Sequence, residues 1–153
     1  MTIRNVSILA AMISVSSLAF AAEKSIRQSD LPPAVESALQ GQMKGAMVKG
    51  FTTETENGRQ TYEAELIVDG HTKDVEFDRD GNIQEVEEEV AFETLSPQVK
   101  AALTTQARSG TVKKVESLRK HDKLVAYEAQ VEKSGKHFEI QVGPNGEKLH
   151  HQE

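Results

Sequence analysis

The chain has 153 residues, no cysteine, 24 acidic against 18 basic side chains and 37% apolar residues. This composition excludes a disulfide-stapled mini-protein and any thiolate chemistry, and the net charge of -6 argues against nucleic acid, whose phosphates call for a basic face. The length suits one domain or two small packed units, with a core of Val, Leu, Ile and Ala because only 5% of residues are aromatic and none is Trp.

Residues 1–21 read as a secretory signal: a short start carrying Arg4, an apolar run from Val6 to Leu18, and the small-x-small site Ala19-Phe20-Ala21. The run is shorter than the ~20 residues that span a bilayer. Cleavage after Ala21 is expected to leave a periplasmic or secreted chain of 17 basic and 24 acidic residues, with no membrane anchor and no cysteine for lipidation.

After an N-terminal segment, residues 22–29, the sequence repeats itself at an offset of 64. Leu31-Pro32-Pro33-Ala34-Val35 lies on Leu95-Ser96-Pro97-Gln98-Val99; after a one-residue shift, Tyr62-Glu63-Ala64 lies on Tyr127-Glu128-Ala129 and Asp80-Gly81 on Asn145-Gly146. The expected units are residues 30–93 and 94–153. Each opens with a helix, capped by Asp30 or Ser96, started by proline, buried along Leu31, Val35, Ala38 and Leu39 or Val99, Ala102 and Leu103, and ended by Gly45 or Gly110. Period-two alternation follows: Tyr62, Ala64, Leu66 and Val68 against Glu63 and Glu65, an Asp69-Gly70 turn, then Val75 and Phe77 against Asp74, Glu76 and Asp78. In Ile83–Val90 the apolar positions Ile83 and Val86 break the alternation, which points to a bulge or to a different register. The second unit repeats the scheme through Val125–Val131, Ser134-Gly135, Phe138–Val142 and a short last strand. The fold class expected is α+β: two tandem repeats, each an N-terminal helix followed by a four-stranded antiparallel sheet, with the helices on one face and the other face wet.

The Leu-Pro-x-x-Val helix start, the Tyr-Glu-Ala strand and the Asp-Gly or Asn-Gly turn together resemble the PepSY-like family of exported bacterial proteins, related in fold to the beta-lactamase-inhibitor protein. The resemblance implies tandem helix-plus-sheet units, an exported location, and a role in binding or inhibiting other proteins.

Charge divides unevenly. Residues 30–93 carry 16 acidic and 5 basic side chains, residues 94–153 carry 7 and 10. On the exposed strand positions Glu63, Glu65, Asp74 and Glu76, with Glu87 beside them, this points to an acidic patch that attracts a protein or basic peptide of the cell envelope, with Tyr62 and Tyr127 supporting it from the core. The competing interpretation is solvating charge that keeps an open sheet from aggregating. Asp78-x-Asp80-x-Asn82 with Glu89 has part of a calcium-loop spacing, but Ile83 stands where glycine is required, so a hairpin turn is expected. His71, His121, His137, His150 and His151 form no helical or alternating ligand pair, and no metal or other cofactor is expected. No nucleophile elbow, phosphate-cradling loop or zinc-protease helix is present, so the function expected is a non-enzymatic binding module, an inhibitor or a sensor-type accessory protein; the alternative is a cation-binding envelope protein.

Overall fold

The computed structural model describes residues 23–56 and 58–153; the expected signal segment, residues 1–21, lies outside them. The strands are β1 (Lys24–Ile26), β2 (Ala46–Glu56), β3 (Arg59–Val68), β4 (His71–Asp78), β5 (Ile83–Glu89), β6 (Thr111–Lys120), β7 (Lys123–Lys133) and β8 (Lys136–Val142). Helix α1 (Pro33–Gln42) precedes β2 and α2 (Pro97–Ala107) precedes β6. All eight strands form one antiparallel sheet in chain order.

This corrects the expected pair of four-stranded sheets. Strand β5, the last of the first half, pairs with β6 from Glu85↔Lys120 to Glu89↔Glu116, so no edge separates the halves. Ahead of α1, Lys24–Ile26 adds a strand on Phe51–Thr53. The last strand expected after Asn145-Gly146 is reduced to one bridge, Val142↔Lys148. Pairing β5 to β6 satisfies backbone groups that two separate sheets would leave exposed.

Both helices lie on the same side. Leu31, Val35 and Leu39 pack on Phe51, Tyr62, Ala64, Leu66, Val75 and Phe77, with Val86 at the margin. Leu95, Val99 and Leu103 pack on Val115, Ala129 and Val142. The register carries the Val86 face of β5 onto Arg119 and then Val115 of β6, so the two cores share one sheet face.

Local chemistry sets the helix ends. Ser96 Oγ accepts the Val99 N–H at 3.3 Å, as a cap should. Asp30 does not cap α1; it accepts from the Arg27 N–H and guanidinium, and Pro32 occupies the cap position. At the end of α2 it is Arg108, not Gly110, that turns left-handed (φ 57°). Gly81 (φ +82°) and Gly146 (φ +83°) dock the β-turns onto the helices: a Cβ would fall 2.5 Å from the Ala34 carbonyl oxygen and 2.6 Å from that of Gln98. The break of alternation in β5 is a bulge, since Phe77 pairs with Ile83 but Glu76 with Glu85.

Candidate functional site

The helix-free face is read directly from the strand register. Its rows run across the strands. One contains Thr52, Glu63, Glu76, Glu85 and Lys120; the next Gly50, Glu65, Asp74, Glu87, Leu118 and Ala126. A third contains Glu89, Glu116, Glu128 and Gln141. Period-two alternation in β3, β4 and β5 thus places the four acidic residues named from the sequence side by side, as cross-strand pairs Glu63↔Glu76 and Glu65↔Asp74. Glu87 joins Asp74 from β5. Like charges directly opposite one another repel, so the arrangement costs stability.

The face is less wet than the alternation suggests. Glu63, Glu65, Asp74, Glu76 and Glu87 are half-buried, and Glu116 is only 3% exposed. A recess of about 80 Å³ is lined by Glu63, Asp74, Glu76, Glu85 and Glu87. Loss of water pushes the Glu63 carboxyl up to about 7, and repulsion from Asp74, Glu23, Glu65 and Glu76 adds to it. Burial raises Asp74 to about 6, Glu116 pushing it further up while Lys114 opposes. Glu87 reaches about 8, through burial and then the charges of Glu128, Glu85 and Glu116. Glu76 and Glu128 are also raised, burial first.

Lysines stand at the margins of this cluster. Lys49 lies 4.0 Å from Glu65, Lys120 lies 3.6 Å from Glu85, and Lys114 Nζ donates to Glu116 at 2.6 Å. The hydroxyl of Thr72 donates to the same Glu116 oxygen at 3.1 Å. Among the described residues, no basic nitrogen comes within 4.0 Å of the carboxylates of Glu63, Asp74, Glu76 or Glu87. The central carboxyls therefore lack a cationic partner among the described residues, whereas those at the rim are paired.

Oxygens of Asp74, Glu87 and Glu116 lie within 4.8 Å of one another. Three carboxylates at that separation can bind one hard cation. Sequence reading missed Lys114 and Glu116 as members of this face, because the extra residue between Val112 and Lys114 interrupts the period of β6; Glu128 stands on the regular alternation of β7 and was not singled out. The Asp78 turn, by contrast, is a hairpin turn: Asp78 Oδ1 accepts the N–H groups of Asp80 and Asn82, and Oδ2 accepts the Asn82 and Gln84 side-chain amides. Glu89 is engaged elsewhere, by the Thr72 N–H and by His71. Tyr62 is buried in the first core, and Tyr127 is half-buried against the second.

Comparison with known proteins agrees with this architecture. The model of a family described as "Putative beta-lactamase-inhibitor-like, PepSY-like" matches residues 60–150, once, across both halves. Among solved structures, a BLIP-like protein from Bacteroides fragilis is 25% identical, with 78% of this chain and 84% of that one covered at a TM-score of 0.56. A protein of Bacteroides eggerthii described as "putative periplasmic" is 20% identical over 80% and 88% of the two chains, TM-score 0.63. A DUF2874 family protein from Bacteroides ovatus is 20% identical over 78% and 84%, TM-score 0.59. No curated protein matches the chain.

Proposed function

Because the chain belongs to the beta-lactamase-inhibitor-like, PepSY-like family, we propose that it is an exported, non-enzymatic binding module whose helix-free sheet face docks a cationic segment of a protein or peptide in the cell envelope. One observation carries this reading: the half-buried carboxylates of Glu63, Asp74, Glu76 and Glu87 share the centre of that face without a basic partner among the described residues. A partner that brings lysine or arginine side chains there relieves repulsion already present in the free protein, and this difference in charge energy drives binding. Such a face suits a protein or peptidase inhibitor or a sensor-type accessory protein, both of which need a rigid platform and no bond-making chemistry. Two points support the exported location: the signal-like segment of residues 1–21 and the periplasmic description of the Bacteroides eggerthii relative. No described helix is long and apolar enough to cross a membrane. The matching docking of Gly81 on Ala34 and Gly146 on Gln98 supports an origin of the two halves by duplication.

The test is a titration with a short oligolysine peptide, followed by amide NMR shifts and calorimetry at low and moderate salt. Shifts confined to the open side of β3, β4 and β5, with affinity falling as salt rises, support the reading. Equal affinity in wild type and in Glu63→Gln/Glu76→Gln overturns it.

The proximity of Asp74, Glu87 and Glu116 favours a second reading, in which the occupant is a divalent cation. Titration with calcium, zinc and copper separates the two. Saturable metal heat abolished by Glu87→Gln supports the cation, whereas silence with all three metals removes it.

A further inference from the structure

Two apolar residues on the open face have lost their solvent. Leu118 pairs with Glu87 on one side and Ala126 on the other, so both belong to the row that also contains Asp74, yet they are 1% and 0% exposed. Neither belongs to the two cores beneath the helices. The end of the chain returns to this side of the sheet. After β8, Lys148 bridges to Val142 and Gly143 donates to the Glu147 carbonyl, which holds the segment along the sheet edge. Leu149 is half-buried. The Glu153 N–H then donates to Gln141 Oε1 at 2.8 Å, while its carboxylate lies 3.9 Å from Lys120 Nζ. Gln141 is anchored in turn, donating to Glu128 at 2.7 Å.

The register fixes where this puts Glu153. Gln141 and Glu128 lie in the row of Glu116, two residues along β6 from Leu118; Lys120 lies two residues beyond it on the other side. A residue that touches both Gln141 and Lys120 stands over the row between, which is the row of Leu118 and Ala126.

We propose that residues 150–153 are an internal strap that closes the β6–β8 side of the open face, and that a partner lying across the sheet displaces it. The inference rests on the binding role proposed above and adds its regulation. Holding forces are small: one hydrogen bond at the strap's end and an ion pair between partly exposed groups. Residues 150–153 are exposed, so the strap itself covers little of its own surface. Its release uncovers an apolar floor, Leu118 and Ala126, next to the carboxylates of β3–β5. A partner therefore gains an apolar contact and a cation site on one continuous surface.

The absence of cysteine allows a single spin label to be placed by His151→Cys. In the closed state the label broadens the amide signals of Leu118, Ala126 and Gln141. Lys120→Glu repels Glu153 and is expected to relieve the broadening; Lys120→Glu/Glu153→Lys restores the pairing with reversed charges and the broadening with it. Oligolysine added to the labelled wild type is expected to sharpen the same signals as it saturates. If those signals are never broadened, or are as broad in Lys120→Glu as in wild type, the strap is overturned. If oligolysine shifts the β3–β5 signals while the broadening persists, displacement is overturned and the binding role stands. If oligolysine shifts nothing, the binding role fails and displacement with it, while the charge swap still decides whether the strap exists.

Discussion

Glu63 and Glu76 face each other directly across β3 and β4, and among the described residues no basic nitrogen lies within 4.0 Å of either carboxylate. A folded protein retains such a pair at a cost in stability. That cost makes the face responsive to protons and to cationic partners.

Stability is expected to fall as pH rises across the neutral range. Glu63 at about 7, Asp74 at about 6 and Glu87 at about 8 all lie above ordinary carboxylates, so the folded state holds protons that the unfolded chain has released. Their contribution is fully present below the unfolded values of 3.8 for Asp and 4.5 for Glu, and is lost as pH climbs through the folded ones. Asp78 and Glu89 are held low by hydrogen bonds, chiefly from Asn82 and Thr72, and act oppositely, weakening the fold as acid protonates them. Thermal denaturation across this range should show a maximum in mildly acidic solution and a lower Tm at pH 8.

Neutralising one crowded carboxyl should stabilise the protein increasingly as pH rises above the ordinary carboxylate range. Glu87→Gln removes the group raised furthest and keeps its shape. At pH 8 the expected gain is about 1 kcal/mol after allowance for solvent screening, shrinking towards zero near pH 4.5, where the wild-type group is already protonated. Urea denaturation at the two pH values checks the difference.

Lys114 has the opposite role. Its ammonium is the charged partner of Glu116, which is 3% exposed. Lys114→Ala leaves that carboxylate with the Thr72 hydroxyl and should cost about 2 kcal/mol, most of it recovered in Lys114→Ala/Glu116→Gln. A double-mutant cycle from denaturant midpoints measures it.

The turn-to-helix contacts are expected to tolerate no side chain. Gly81→Ala meets both a left-handed backbone and the Ala34 carbonyl oxygen 2.5 Å from the new Cβ, and should lower stability by about 2 kcal/mol or more. Gly45→Ala is the control: it shares the positive φ, 78°, with nothing within 4 Å of the added carbon, and should cost less. Thermal melts of the two variants rank them.

Because β5 pairs with β6, the halves should unfold together. Leu39→Ala in the first core and Leu103→Ala in the second should each lower a single transition by about 2–5 kcal/mol, not split it in two. Calorimetric and van't Hoff enthalpies that agree in both variants confirm one cooperative sheet.

Much of this architecture was legible in the sequence because local chemistry dictated it. Proline and apolar spacing marked α1 and α2, and strict alternation placed Glu63, Glu65, Asp74 and Glu76 on one face. The join of β5 to β6 was not legible, since pairing partners far apart leave no local mark. Nor was β2, whose register shifts between Val48 and Gly50, or β6, which shifts between Val112 and Lys114; each extra residue inverts the apparent face of those that follow. Glu116 was hidden for this reason, and the burial of the carboxylates follows from neighbours on other strands. The strap residues 150–153 carry no periodic signal, and only their contacts with Gln141 and Lys120 reveal them.

The most direct test is carbon-detected NMR titration of the Glu63, Asp74 and Glu87 carboxyls, alone and with saturating oligolysine. Alone, they should titrate near 7, 6 and 8, and the peptide should draw each back towards the ordinary carboxylate range as its cations settle beside them. Ordinary values in the free protein, unchanged when the peptide is added, would contradict the account.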